Sequence, residues 1–331
     1  MIEKYLNKRN SLRELSDEEF EEILPTLAEE LEDVSYSYVY SVEELVNDWH
    51  NLCRINVVDG HTSSTVRTGM KICEHFFPNF FKIQNNKGTN FKSLWKREVL
   101  EKVLRWNRKS HSTPYLSELR RGIYFCEGLT KNTMFRPHIA KMISEFYHSK
   151  IVLDPCCGWG GRMIGTVASG AEYIGFETNT ETYDNLNRIA KFFAIEDKVT
   201  LINDGSEHMD QYDFPRVDMT LTSPPYFNLE VYNESDKQSE NMFQTYEEWK
   251  EKWLRIVITK ALDRTNISCW NVHNVGKMKM IEDVEQIHND LGYELTKEFS
   301  LVSSKRQTNQ NKTGNKKNQD LTRCFRKIIR R

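Results

Sequence analysis

The sequence predicts an α/β fold: a mostly parallel seven-stranded sheet ending in an antiparallel hairpin, plus a mainly helical N-terminal region. Three observations predict it. From about residue 135, short apolar or β-rich runs alternate with helical stretches, as in βαβ units on a parallel sheet. The last two runs flank a polar, basic segment instead of a helix, as the arms of a hairpin would. Before residue 130 the chain shows capping and breaking signals of helices without that alternation. The expected division is therefore a helical region over 1–130 and a sheet domain over 131–331.

Residues 11–33 read as acidic helices broken at Pro25, because proline removes a helical donor and clashes with the preceding turn. Ser41 followed by Glu44 is a capping-box pattern that opens a helix through Leu52. Residues 61–110 mix Phe76, Phe77, Phe80, Phe81, Phe91, Trp95 and Trp106 with lysines and arginines. That mixture suits either a core or a surface that stacks bases and contacts phosphates. The strands follow: Ile151–Leu153, Tyr173–Phe176, Val199–Ile202, Asp218–Leu221 and Ile267–Val272, then Tyr293–Ser303 and Leu321–Ile329 around a mobile loop over 304–320.

In a chain of 331 residues no apolar run approaches the roughly 20 residues of a membrane span. Met1-Ile-Glu-Lys-Tyr5 has no apolar signal segment behind its charges. The seven cysteines are odd in number and form no CxxC pair, which argues against a disulfide scaffold or a zinc knuckle. A cytoplasmic protein of bacterial or viral origin is expected. The net charge of −2 conceals segregated blocks: −10 over 1–50, +11 over 51–150, −12 over 151–300 and +9 over 301–331. Such segregation suggests a polyanion facing the basic blocks. The acidic segment 1–50 suits a protein partner, mimicry of DNA, or shielding of the basic surface.

The chemistry is concentrated in two turns. After the first strand, Asp154-Pro155-Cys156-Cys157-Gly158-Trp159-Gly160-Gly161-Arg162 forms a tight turn into a helix start, where glycines let a ligand approach the backbone. No Gly-Lys-Ser/Thr follows, so it is not a P-loop, and an acidic turn repels a pyrophosphate. Glu177, 23 residues on, ends the next strand and suits the two hydroxyls of a ribose. Asp204 ends the third and suits an adenine amine. In this order they specify an adenosine ligand with a charged amino-acid arm, a description that S-adenosylmethionine meets. The fourth strand runs into Thr222-Ser223-Pro224-Pro225-Tyr226-Phe227. Two prolines make a rigid elbow that holds the Ser223 hydroxyl and a backbone carbonyl as acceptors, with Tyr226 flat beside them. That arrangement fits a planar base bearing an exocyclic amine.

These motifs resemble those of the amino-methylating DNA methyltransferases, which carry methyl from S-adenosylmethionine to N4 of cytosine or N6 of adenine. Asp154-Pro155, Gly158 and Gly160 match the turn that holds the methionine arm, with Cys156 inside it. Glu177 matches the ribose binder, Asp204 the adenine contact and Ser223–Tyr226 the catalytic turn. Phe135-Arg136-Pro137-His138-Ile139-Ala140 resembles the segment that closes over the methionine part, which implies cofactor contacts from Phe135 and Pro137. Cys156 and Trp159 depart from the family pattern. The resemblance covers about residues 130–330. It implies a Rossmann-like class I methyltransferase fold, DNA as partner, base flipping, a restriction-modification setting, and cytosine N4 favoured over adenine N6. On it, Ser223, Pro224, Pro225 and Tyr226 do the chemistry, and Tyr226 stacks on the flipped base with Phe227 or Tyr232 as a second wall. RNA bases and a catalytically inactive nucleic-acid-binding module are the alternatives. His138, His208 and His273 are candidate bases, although direct displacement demands none.

Overall fold

The structure is a computed structural model that describes residues 2–56, 61–63, 66–85, 88–110, 113–129, 132–227, 242–302 and 321–328. The loop expected over 304–320 and Tyr232 lie outside the described residues. Two compact units form. Among the described residues, one comprises 2–39 and 78–133; the other comprises 40–77, 134–227, 242–302 and 321–328. Residues 40–77, which precede the expected boundary near 130, group with the sheet. No helix among the described residues is long and apolar enough to cross a membrane.

The first unit is helical. Its longest helix, Asp17–Glu32, starts at a capping box in which Ser16 and Glu19 satisfy each other's backbone N–H groups. The break expected at Pro25 does not occur, and the helix continues through it. The carbonyl that Pro25 leaves without a helical donor belongs to Glu21, an exposed residue, while Phe20, Leu24, Leu27, Ala28 and Leu31 hold the opposite face in the core. That stripe packs with Val99, Leu100, Val103 and Leu104 of helix Arg97–Ser110 and with Leu119 and Ile123 of helix Leu116–Glu127. Phe81, Phe91 and Trp95 join this core, so within this unit the aromatic run is mainly interior.

The acidic and basic blocks meet within this unit. Arg105 donates twice to Glu21, at 3.1 and 2.7 Å. Arg108 pairs with Asp17 at 2.6 Å and donates to the carbonyls of Leu12 and Leu15. Arg97 lies 3.9 Å from Glu29, and buried Arg120 donates to the carbonyls of Ser35, Tyr36 and Ser37. Much of the basic excess over 97–120 is thus used inside the unit.

The second unit is built on one sheet of order β1-β7-β8-β6-β5-β2-β3-β4. The strands are β1 His61–Ser63, β2 Ile151–Asp154, β3 Glu172–Phe176, β4 Val199–Ile202, β5 Met219–Thr222, β6 Ile267–Val272, β7 Tyr293–Val302 and β8 Leu321–Lys327. β2 to β6 are parallel, and β8 runs antiparallel between β6 and β7. These seven strands are the expected Rossmann-like methyltransferase fold. β1 is an eighth strand, parallel to the edge of β7. Its three residues, His-Thr-Ser, carry no apolar alternation that would mark a strand. Both faces of the sheet are covered: Val152 joins one apolar cluster and Leu153 another, as period-two alternation requires.

Candidate active site

Strand order reverses between β2 and β5, since the chain leaves β2 for β3 and β4 on one side and returns to β5 and β6 on the other. The crevice beyond the carboxyl ends of strands at such a switch point is where open α/β sheets bind ligands. The turn after β2 and the Ser-Pro-Pro-Tyr turn after β5 flank it.

Asp154 closes β2 with no exposed surface. One oxygen accepts from Thr222 Oγ1 at 2.7 Å and the Cys156 N–H at 3.1 Å. The other accepts from Arg162 Nε at 2.7 Å and the Tyr173 hydroxyl at 2.8 Å. Arg162, itself buried, donates as well to the carbonyls of Cys156 and Cys157. Burial opposes its charge, but Asp154 and the other groups around it raise its pKa above the ordinary arginine value. Sequence reasoning missed Arg162, Tyr173 and Thr222 as a group. The available signal was an arginine in the first turn of helix Gly161–Ala168, where the helix dipole disfavours a cation unless an anion faces it.

Gly158 and Gly160 both take left-handed backbone, at φ 58° and 73°. A Cβ on Gly161 would lie 2.0 Å from the Phe135 carbonyl oxygen, and one on Gly165 would lie 2.1 Å from that of Pro137. These glycines let the 135–137 segment cross the helix directly against its backbone. Phe135 lies under Arg162 at 5.3 Å, and Pro137 opens the buried helix Pro137–Phe146. Phe77 meets Trp159 edge-on at 5.8 Å, so the turn is also walled by the 40–77 segment.

Glu177 Oε2 accepts from the Gly158 N–H at 3.0 Å and Oε1 from the Asn179 N–H at 2.9 Å. Burial pushes its pKa up to about 7, against these two hydrogen bonds. Each oxygen retains acceptor capacity. Asn203 donates to the Glu177 carbonyl at 2.8 Å, tying the ends of β3 and β4 together. Desolvation raises the Asp204 carboxyl, but the Gly205 N–H, the Tyr212 hydroxyl and His208 outweigh it and hold it below the ordinary value. Glu177 and Asp204 thus keep acceptors in the order that an adenosine needs, and the residues present fit the ligand.

Beyond β5, Pro224 is buried, whereas Ser223, Pro225 and Tyr226 keep partial exposure. The Tyr226 ring packs against His273, past the end of β6, with centroids 4.1 Å apart and planes 38° apart. Phe227, expected on the base, is taken up by the core: it is 6% exposed at φ 44° and faces Trp249 and Tyr246. Burial pushes both cofactor-turn thiols up; Cys157 is buried and Cys156 partly so. Neither is a ready nucleophile. His138 has no exposed surface and is lowered to about 4 by burial, which keeps it neutral.

A family model described as RNA cap guanine-N2 methyltransferase matches residues 149–250. No curated protein matches the sequence. Among solved structures, TrmN from Thermus thermophilus is 11% identical with a TM-score of 0.42, over 58% of this chain and 49% of that one. A SAM-dependent O-methyltransferase from Thermotoga maritima is 11% identical with a TM-score of 0.40, over 62% and 70%. An rRNA methylase from Streptococcus thermophilus is 14% identical with a TM-score of 0.38, over 60% and 100%. Likenesses this distant assign neither substrate nor activity.

Strand order, the two turns and the family match define a class: an S-adenosylmethionine-dependent methyltransferase, with S-adenosylmethionine as cofactor. The DNA-directed reading is overturned. The matching family acts on RNA guanine, and its match spans Asp154, Glu177, Asp204 and Ser223–Tyr226. The Ser-Pro-Pro-Tyr turn specifies only a planar amine, a description that guanine N2 meets as well as cytosine N4 or adenine N6. DNA as partner, its methylation and a restriction-modification setting rested on that resemblance and on the charge blocks. Much of the basic charge in helix Arg97–Ser110 is answered by carboxylates of the same unit.

Proposed function

We propose that this protein methylates the exocyclic amine of a guanine in RNA. The observation that carries the reading is the family match over 149–250, which runs from the glycine turn through the Ser-Pro-Pro-Tyr turn. Glu177 takes the ribose hydroxyls of the cofactor, Asp204 its adenine amine, and the backbone around Pro155, Cys156, Gly158 and Gly160 borders the methionine arm. Phe135 and Pro137 lie across that turn. Bound S-adenosylmethionine supplies the electrophilic sulfonium methyl.

The remaining work falls to the turn after β5. Ser223 Oγ and the Pro224 carbonyl each accept a hydrogen bond from one of the two amine N–H groups. This draws the nitrogen lone pair out of conjugation with the ring and orients it for direct displacement. The gain is positional and electrostatic, with no covalent intermediate on the protein. Pro225 holds the elbow rigid, and Tyr226, backed by His273, presents its other face to the base. The displaced proton passes to solvent. Tyr226→Ala is expected to cut turnover about 100-fold while cofactor affinity stays within about twofold. Turnover measured beside calorimetric titration checks it, and an unchanged turnover removes Tyr226 from the base site.

The decisive test offers labelled S-adenosylmethionine with capped RNA, uncapped RNA and duplex DNA in parallel, followed by digestion and mass spectrometry. The expected product is N2-methylguanosine. Label confined to DNA, or to another base, overturns the reading.

A further inference from the structure

We infer that Asp154 does not touch the cofactor but is a positioning residue that locks the turn after β2 to the turn after β5 through Thr222. The inference concerns the Ser223–Tyr226 elbow and rests on the proposed role of that elbow. A carboxylate has about four lone-pair sites. Asp154 fills them with four donors from its own chain: Thr222, Cys156, Arg162 and Tyr173, at 2.7, 3.1, 2.7 and 2.8 Å. With no exposed surface and an arginine already paired to it, Asp154 has neither the access nor the free acceptor to receive an ammonium group.

The four donors come from separate places. Cys156 lies in the cofactor turn, Arg162 opens the following helix, Tyr173 is on β3, and Thr222 is the last residue of β5. Thr222 is fully buried and directly precedes Ser223, so its hydroxyl is the last fixed point before the acceptor elbow. One carboxylate therefore sets the distance between the place that holds the methyl donor and the place that holds the amine. In-line transfer is sensitive to misplacement on the scale of 1 Å.

The test uses Thr222→Val, which keeps the shape and removes the hydroxyl, with Thr222→Ser to restore it. Tyr173→Phe removes a second donor should Thr222→Val fold poorly. Calorimetry compares S-adenosylhomocysteine with 5′-methylthioadenosine, which lacks the amino-acid arm. In Thr222→Val and in Asp154→Asn the ratio of the two affinities should stay within about twofold of wild type. A direct ammonium contact would instead cost S-adenosylhomocysteine alone about tenfold or more in Asp154→Asn, and that result overturns the inference. Methyl transfer to RNA by Thr222→Val should fall about 10- to 100-fold, and Thr222→Ser should recover it.

Hydrogen exchange of the 219–227 peptide with S-adenosylhomocysteine bound should quicken in Thr222→Val and not in Thr222→Ser. Unchanged exchange also overturns the inference. The binding and exchange arms need no RNA. A wild-type protein inert toward RNA would sink the proposed function and leave this inference to be judged on those arms. An active Thr222→Val would sink the inference alone.

Discussion

In the helical unit, Arg97, Arg105 and Arg108 meet Glu29, Glu21 and Asp17 at the surface, with Arg105 42% and Glu21 54% exposed. In the sheet unit, Arg162 and Asp154 meet at 5% and 0%. The same ion pair in two dielectric settings does two jobs. Exposed pairs are screened and individually weak, so the helical unit draws its stability mainly from apolar burial such as the Phe20–Leu31 stripe. The buried pair is costly to assemble and costlier to break, because removing one partner strands the other away from water. Here the buried pair sits where the turn after β2 meets the helix that follows it.

That contrast can be broken by experiment. The largest effect is expected from Arg162→Met, which leaves the Asp154 carboxylate buried and short of its cation. It should destabilise the protein by about 3–5 kcal/mol in urea unfolding. A loss under about 1 kcal/mol would mean that the pair is not sealed from water. Gly161→Ala comes next, since its methyl must displace the Phe135 carbonyl. A cost of about 1–3 kcal/mol, with weakened cofactor binding, is expected from the same melts and titrations.

The third test uses the raised Glu177 carboxyl. Its folded pKa of about 7 lies above the ordinary glutamate value of about 4.5, so the folded state holds a proton over that interval that the unfolded state has released. Its contribution to stability is therefore full below about pH 4.5 and lost as pH rises to 7. In the proposed role of Glu177, the ribose hydroxyls favour its charged form. S-adenosylhomocysteine should accordingly bind more weakly below pH 7, by up to about tenfold per pH unit, and Glu177→Gln should flatten that slope. The smallest effect belongs to the helical unit: Arg105→Gln should leave the thermal midpoint within the scatter of repeated melts. A clear drop there would show that its surface pairs act as a network.

Much of the fold was legible because it rests on local patterns. The seven expected strands all occur near their expected positions, since β-branched and apolar runs bounded by turns specify them. The Ser41–Glu44 capping box opens its helix as expected, because both partners lie within one turn. The misreadings have non-local causes. Pro25 breaks a helix in isolation, but a buried leucine face in tertiary contact outweighs one lost donor. β1 is held by backbone pairing to a strand more than 230 residues away, and its polar side chains leave no trace in the pattern.

At the site, Glu177 and Asp204 stand where alternation and acidity place them. Asp154 was legible as the acidic end of β2 but not as internally saturated, because its partners Tyr173 and Thr222 come from two other strands. The substrate was the least legible part. Charge segregation along the sequence does not reveal that an acidic helix pairs with the neighbouring basic one, and the amine-binding turn does not distinguish among bases.

The interleaving of the two units has a consequence for how the protein can be divided. The chain builds part of the helical unit, departs at Tyr40 to supply a strand and two helices to the sheet unit, and returns at Pro78. A fragment beginning near residue 131 would therefore lack the edge strand β1 and Phe77, the ring that walls the glycine turn at Trp159. A fragment ending there would carry residues 40–77 with no sheet to receive them. Neither half is a transplantable module.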